Sequence, residues 1–203
     1  MTCIVGLEDK DNDRVIIYAD SMYSNESEHM ISALPKVFKL QSINVDAIVG
    51  FAGDARSAQI LQYATVIPKK TKSLTTEAYL VGHFIPAFKN ALHDGAITMK
   101  AYEADILIGI DKKLYIIDSD FQINRFVIND KGYCAIGTGS SYALGAMHHM
   151  LQNTTYDPET ILIKALEASE AFCQKVKRPW FGLTLEPPSG IIKKVSTLNK
   201  GKP

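Results

Sequence analysis

The chain opens on a short apolar run at residues 3–7, a turn-forming cluster of acidic and amide residues at 8–13, and a second apolar run at 15–19. Two such runs around a turn predict a β-hairpin. A second hairpin is predicted from residues 36–40, which alternate, through a turn at 41–44, to 45–49. The polar, irregular stretch 21–34 between them suits a loop that carries function. Asp54 is placed to cap a helix through Ala58, Ile60, Leu61 and Ala64 that stops before Pro68. A second helix is predicted from Ser73 or Thr75 to about Gly95, with Pro86 expected to kink or split it.

The pattern then returns to strands at 105–110, 114–117, 124–127 and 133–136, all short and rich in β-branched, leucine or aromatic residues. A glycine-rich turn at 137–141 leads into a helix with Tyr142, Leu144, Ala146, Met147 and Leu151. Asp157 and Pro158 are an N-cap and first-turn proline for another, carrying Ile161, Leu162, Ala165, Leu166, Phe172 and Val176 at helical spacing. Strand-like runs at 181–185 and 191–195 close the chain. Hairpins, two helices, strands, two helices and final strands imply one α+β domain over residues 1–203. Its two antiparallel sheets stack on each other and helix pairs cover the outer faces.

Composition adds exclusions. Lysine plus arginine (22) equals aspartate plus glutamate (22), so bulk attraction to nucleic acid or an anionic membrane is not expected. Cys3, Cys134 and Cys173 are odd in number and lack zinc-ligand spacing, which fits unpaired thiols in a reducing compartment. No secretory signal and no apolar run near the roughly 20 residues that span a bilayer is visible, so a cytoplasmic protein is expected. His148 and His149 lack a carboxylate or cysteine partner at metal-ligand spacing. Gly137-Thr138-Gly139 is not followed by the Lys-Ser/Thr of a phosphate loop.

Chemistry is concentrated at the start. Methionine before a small residue is normally trimmed, and loss of Met1 would leave Thr2 with a hydroxyl and a free α-amine on one residue. An α-amine titrates near about 7.7–8.0, so it can serve as the base that activates the hydroxyl. A threonine at position two is common, however, and alone identifies nothing.

Five short motifs occur in order: Thr2-Cys3-Ile4-Val5-Gly6, Ala19-Asp20-Ser21, Pro35-Lys36-Val37, Val49-Gly50-Phe51-Ala52-Gly53-Asp54-Ala55, and Ile136-Gly137-Thr138-Gly139-Ser140-Ser141-Tyr142-Ala143. Together they resemble the pattern of proteasome β subunits and bacterial HslV-type proteases, the N-terminal nucleophile (Ntn) hydrolases. The resemblance covers nearly the whole chain and implies a four-layer αββα sandwich. It implies Thr2 as nucleophile, Asp20 and Lys36 as its acidic and basic supports, Gly50 as the oxyanion-hole amide, and Thr138 as the hydroxyl beside the amine. It further implies an apolar pocket of Leu34, Ile48 and Ala52 for the side chain before the scissile bond, and pairing of a peptide backbone near Ser21 and Ser24. The active form would be a homo-oligomeric ring acting on peptide or unfolded protein, fed by an ATP-dependent unfoldase, and requiring no metal or organic cofactor.

One departure stands out. Family members carry an aspartate near the last helix, with a serine often following, where this chain aligns Ala171 beside Glu170 and Cys173. The same residues therefore also admit an inactive assembly subunit, or an amidase acting on a small amide.

Overall fold

The computed structural model describes residues 2–24, 29–40, 42, 45–98, 102–186 and 191–197, with residues 24, 29 and 191–197 described through their backbone only. The first hairpin forms as predicted, β1 (Ile4–Asp9) against β2 (Arg14–Ala19). It lies at the centre of a six-stranded antiparallel sheet with β10 (Val127–Ile128), β11 (Lys131–Ile136), β12 (Trp180–Glu186) and β13 (Ile191–Thr197), in the order β10-β11-β1-β2-β12-β13. The second sheet has the order β5-β6-β7-β8-β9, built from Val37–Lys39, Ala47–Ala52, Asp105–Ile110, Lys113–Ile117 and Ile123–Asn124.

Two departures from the sequence reading concern these strands. The run expected as one strand over 124–127 is two pieces: β9 ends at Asn124 in the five-stranded sheet and β10 begins at Val127 in the other. The chain changes sheets there, anchored by Arg125, whose guanidinium reaches the buried Glu8 carboxylate at 2.7 and 3.0 Å. The stretch 21–34, read as a loop, contains a small hairpin of β3 (Met22–Ser24) and β4 (His29–Ile31). Its strands have three residues each, too short for periodicity to reveal.

Strand alternation sorts side chains into three apolar layers. Along β1, Ile4 points into the space between the sheets, where it meets Val37, Ile48 and Leu107. Cys3, Val5 and Leu7 point outward, under α4 (Ser140–Asn153) and α5 (Pro158–Phe172). Gly6 shares the inner face, where a β-carbon would meet Leu107 at 2.9 Å. Over the second sheet, Phe38, Val49, Phe51 and Ile108 pack beneath the remaining helices. These are α1 (Ala55–Gln59), α2 (Thr76–Tyr79) and α3 (Ile85–Asp94). The architecture is the expected αββα sandwich.

The first helices start where the sequence places them. Asp54 accepts the Ser57 N–H and Thr75 accepts the Ala78 N–H. Pro86 does not break its helix. Leu80–Phe84 widens into a π-helical stretch, and the Ile85 N–H bonds the Leu80 carbonyl five residues back. Proline has no N–H and crowds the preceding turn, and the wider turn accommodates it. Among the described residues no helix is long and apolar enough to cross a membrane.

Candidate active site

The register of the central sheet sets the site. Ile136, Ile4 and Ala19 lie side by side on β11, β1 and β2, with Phe181 of β12 next in the row. Cys3, Asp20 and Gly137 are therefore the first residues beyond one edge of the row and Thr2 and Thr138 the next, so they converge although 136 positions separate Thr2 from Thr138. The Thr138 hydroxyl accepts from the Thr2 N–H at 3.4 Å and lies 3.3 Å from the Thr2 carbonyl oxygen, to which it can donate. The Gly139 N–H also reaches that oxygen at 3.3 Å. Gly137 takes a φ of 87°, and a β-carbon there would stand 2.3 Å from the Thr2 carbonyl oxygen. The left-handed backbone and the close approach both demand glycine.

Asp20 is fully buried and each of its oxygens takes two donors. Oδ1 accepts from Lys36 Nζ at 2.7 Å and the Cys3 N–H at 3.0 Å; Oδ2 accepts from the Met22 N–H at 3.0 Å and the Lys177 N–H at 3.4 Å. Lys36, one residue before β5, comes from the other sheet, so this ion pair ties the two sheets together at their open end. Burial pushes the Lys36 ammonium below the ordinary lysine value, and the Asp20 carboxylate opposes that shift. The Cys3 thiol faces the helix side, beside Ser169 Oγ at 3.4 Å, and burial pushes it up to about 12. A thiol so held is a poor nucleophile.

Thr2 and Lys36 open on a groove of about 520 Å³. Met22, Phe38, Phe51, Ala55 and Ala58 form its apolar wall, and Tyr23, Gln59, Gln62 and Tyr63 bring polar groups to it.

Thr2, Asp20, Lys36 and Thr138 are thus brought together, and Leu34 joins them as a groove residue. Other expected positions fall elsewhere. Gly50 lies inside β6, paired with Val37 and Leu107, and a β-carbon there would meet Ile4 at 2.5 Å. Because the Phe51 N–H donates to the Lys36 carbonyl at 3.0 Å, strand alternation turns the Gly50 N–H to the opposite edge, towards β7. It is committed to the sheet and cannot meet a substrate oxygen. Gly53, just past the end of β6, lines the groove. Among the described residues no backbone acceptor takes its N–H.

Ile48 and Ala52 share the inner face of β6 and pack between the sheets, so they do not wall the groove; Phe51, on the other face, does. Ser21 is buried. Its N–H is given to the Lys177 carbonyl, its carbonyl to the Ser32 N–H and its hydroxyl to the Pro179 carbonyl, leaving no edge for a peptide. The backbone of Ser24 pairs with His29 in the small hairpin, and its side chain lies outside the described residues.

Ala171 is exposed on α5, and the Glu170 carboxylate is taken by Arg178, so neither supplies the missing aspartate. The α5 residue that does approach the site is Ser169, which the sequence reading passed over. Its hydroxyl donates to the Gly139 carbonyl at 2.8 Å and so holds the Thr138 turn. Its place on the apolar stripe of α5, three residues after Leu166, was the one available signal. His148 is engaged with Tyr133 at 2.7 Å and with Gln152, and the described residues hold no group of three metal-ligating side chains.

Comparison with known proteins gives this geometry a context. No family model matches the chain. The ATP-dependent protease subunit HslV of Caldicellulosiruptor saccharolyticus is 26% identical over 173 residues, covering 85% of this chain and 91% of that one. Among solved structures, BPH of Thiobacillus denitrificans superposes with a TM-score of 0.73 at 20% identity, covering 92% of this chain and 99% of that one. Eukaryotic HslV of Trypanosoma brucei does so with a TM-score of 0.62 at 20% identity, covering 91% and 99%. The chain is thus similar in sequence to an HslV protease subunit and shares the fold of HslV-type proteins. Within the HslV-type fold, the Thr2 end of the sandwich is where β1, β2, β6 and β11 all begin or end, which is why one site can draw on so many segments.

Proposed function

We propose that this chain is a threonine-type peptidase of the Ntn hydrolase class, acting after removal of Met1. The observation that carries the reading is the meeting of Thr2, Asp20, Lys36 and Thr138 at the mouth of one groove. The Thr2 hydroxyl attacks the carbonyl carbon of a peptide bond while its own α-amine, directly or through one water, takes the proton. The Lys36 ammonium disfavours protonation of that amine, and Asp20 keeps the buried ammonium charged. The Gly53 N–H holds the oxyanion. The amine returns the proton to the departing amine of the substrate, and water then hydrolyses the Thr2 ester.

An extended groove with apolar walls suits a peptide with a sizeable apolar side chain before the scissile bond, rather than a small amide. The relative's name, a subunit of an ATP-dependent protease, supports work within an assembly that uses ATP, and the proposal is a cytoplasmic homo-oligomeric ring supplied with unfolded protein by an ATP-dependent unfoldase. A second reading, an inactive assembly subunit, draws on Ala171, which has no carboxylate, and on Glu170, whose carboxylate is held by Arg178.

Labelling by an epoxyketone peptide, which captures hydroxyl and amine together, separates the two. The purified protein should start at Thr2 by intact mass, take one label per chain at Thr2, and cleave fluorogenic peptides. Thr2→Ala should do neither. Retained Met1, or cleavage undiminished in Thr2→Ala, would sink the proposal; a trimmed but unlabelled and inactive chain would favour the assembly subunit.

A further inference from the structure

Of the four donors on Asp20, the Lys177 N–H is the only one from the segment between α5 and β12. That segment is stitched to the site on both sides. The Lys177 carbonyl accepts the Ser21 N–H at 3.0 Å and the Pro179 carbonyl accepts the Ser21 hydroxyl. Val176 is buried under the central sheet and fixes one end. The other end is held by Arg178, whose guanidinium and backbone both bind one side chain, Glu170. Nη2 lies 2.6 Å and Nε 2.8 Å from Oε2, and the backbone N–H reaches Oε1 at 3.1 Å. The same guanidinium lies over the Trp180 ring, 5.5 Å from its centroid. An ion pair with three hydrogen bonds and an aromatic face beneath it fixes backbone direction as well as charge.

We infer that Glu170 is a positioning residue: through Arg178 it clamps the segment so that the Lys177 backbone holds Asp20 in line with Lys36 and Thr2. Glu170 touches neither Thr2 nor Lys36. It orients the Thr2 surroundings from outside, by a chain of contacts from α5 to Asp20. The inference rests on the peptidase reading only for its kinetic consequence; the effect on the Asp20–Lys36 pair stands apart from it. Asp20 is the carboxylate that faces Lys36, with the Cys3 thiol and the Thr2 amine nearby. A displaced Asp20 therefore leaves the buried ammonium less supported.

The test compares wild type, Glu170→Ala, the exchange Glu170→Arg with Arg178→Glu, and Glu167→Gln, which removes a neighbouring charge 3.9 Å from Arg178. Lys36 ionisation is followed by NMR of 15N-lysine-labelled protein, and peptide cleavage in parallel. Glu170→Ala should move the Lys36 titration to lower pH. It should also lower kcat about tenfold with KM changed by less than about twofold, as expected when alignment rather than binding is lost. The exchange should restore most of both, and Glu167→Gln should alter neither.

An unmoved Lys36 titration in a folded Glu170→Ala protein overturns the inference, as does an equal effect of Glu167→Gln or an exchange that restores nothing. If the wild type cleaves no peptide, the Lys36 readout alone decides: a shift there upholds the clamp while the peptidase reading falls. Should Glu170→Ala fail to fold, Arg178→Lys, which keeps the charge but loses the fork, carries the same test.

Discussion

Lys36 Nζ lies 2.7 Å from Asp20 Oδ1, and the two residues come from different sheets of the sandwich. The carboxylate has no solvent exposure and the lysine side chain retains 15%. The pair is therefore a structural tie, and in the proposed mechanism it is the electrostatic element that acts on Thr2.

Its first consequence is a pH dependence. Burial holds Lys36 below the ordinary lysine value, so between the folded and unfolded pKa values the unfolded chain binds more protons. The contribution of Lys36 to stability accordingly rises with pH through that window and is smallest below it, where the ammonium must be buried. If activity needs the charged ammonium, the alkaline limb of kcat/KM should fall below the usual lysine range. Asp20→Asn, which removes the opposing carboxylate, should move that limb lower still. A pH–rate profile of both proteins checks this, and an alkaline limb unmoved by Asp20→Asn would contradict it.

Thr138 meets Thr2 through one hydroxyl at 3.4 and 3.3 Å. Thr138→Val keeps the shape and removes the hydroxyl, and should lower kcat by about 100-fold, the lower end of general acid–base contributions. Thr138→Ser should retain most activity. Steady-state kinetics on one peptide decide, and equal rates for the valine and serine variants would remove Thr138 from the mechanism.

Groove width should set the side chain accepted before the scissile bond. Ala58→Phe fills the space beside Phe38 and Phe51. It should raise KM for substrates with a large residue there by about tenfold or more, the scale of one buried aromatic side chain. Substrates with alanine should be cleaved as before. A parallel loss for both would mean that the groove is not the side-chain pocket.

At the opposite end of β1, Glu8 is almost fully buried and bound by Arg125 and the Leu114 N–H. Arg125→Ala leaves a buried carboxylate without its cation and should cost about 3–5 kcal/mol of stability, read by urea denaturation. Rates per folded molecule at Thr2 should be unchanged. A loss below about 1 kcal/mol would show that water reaches Glu8 and replaces the guanidinium.

Much of this was legible in the chain. The hairpin 3–19, the caps at Asp54, Thr75 and Asp157, and the helix stop at Gly95 follow from local rules, because each depends on neighbours within a few residues. Motif order and interval pointed to Thr138, which meets Thr2, and to Asp20 and Lys36, which meet each other. The errors arose where geometry is not local. Gly50 and Gly53 are three residues apart in one glycine-containing motif, and only the strand register shows which amide is spent on the sheet. Ile48 and Phe51 differ by one odd step on β6, which sends them to opposite faces. The loop read at 21–34 hides a hairpin of three-residue strands, and the break between Asn124 and Val127 depends on the buried Glu8 of a distant strand.

By itself the sequence determined the layers: hydrophobic periodicity says which faces must be covered, and turn and cap residues say where elements begin and stop. Tertiary structure alone decided which backbone groups remain available at the site. A hydrogen-bonding edge is used up or left open by pairing between strands far apart in the chain. That pairing is why the Gly50 amide is spent on the sheet and why the Ser21 backbone offers none, and Glu170, adjacent to the aligned Ala171, binds Arg178.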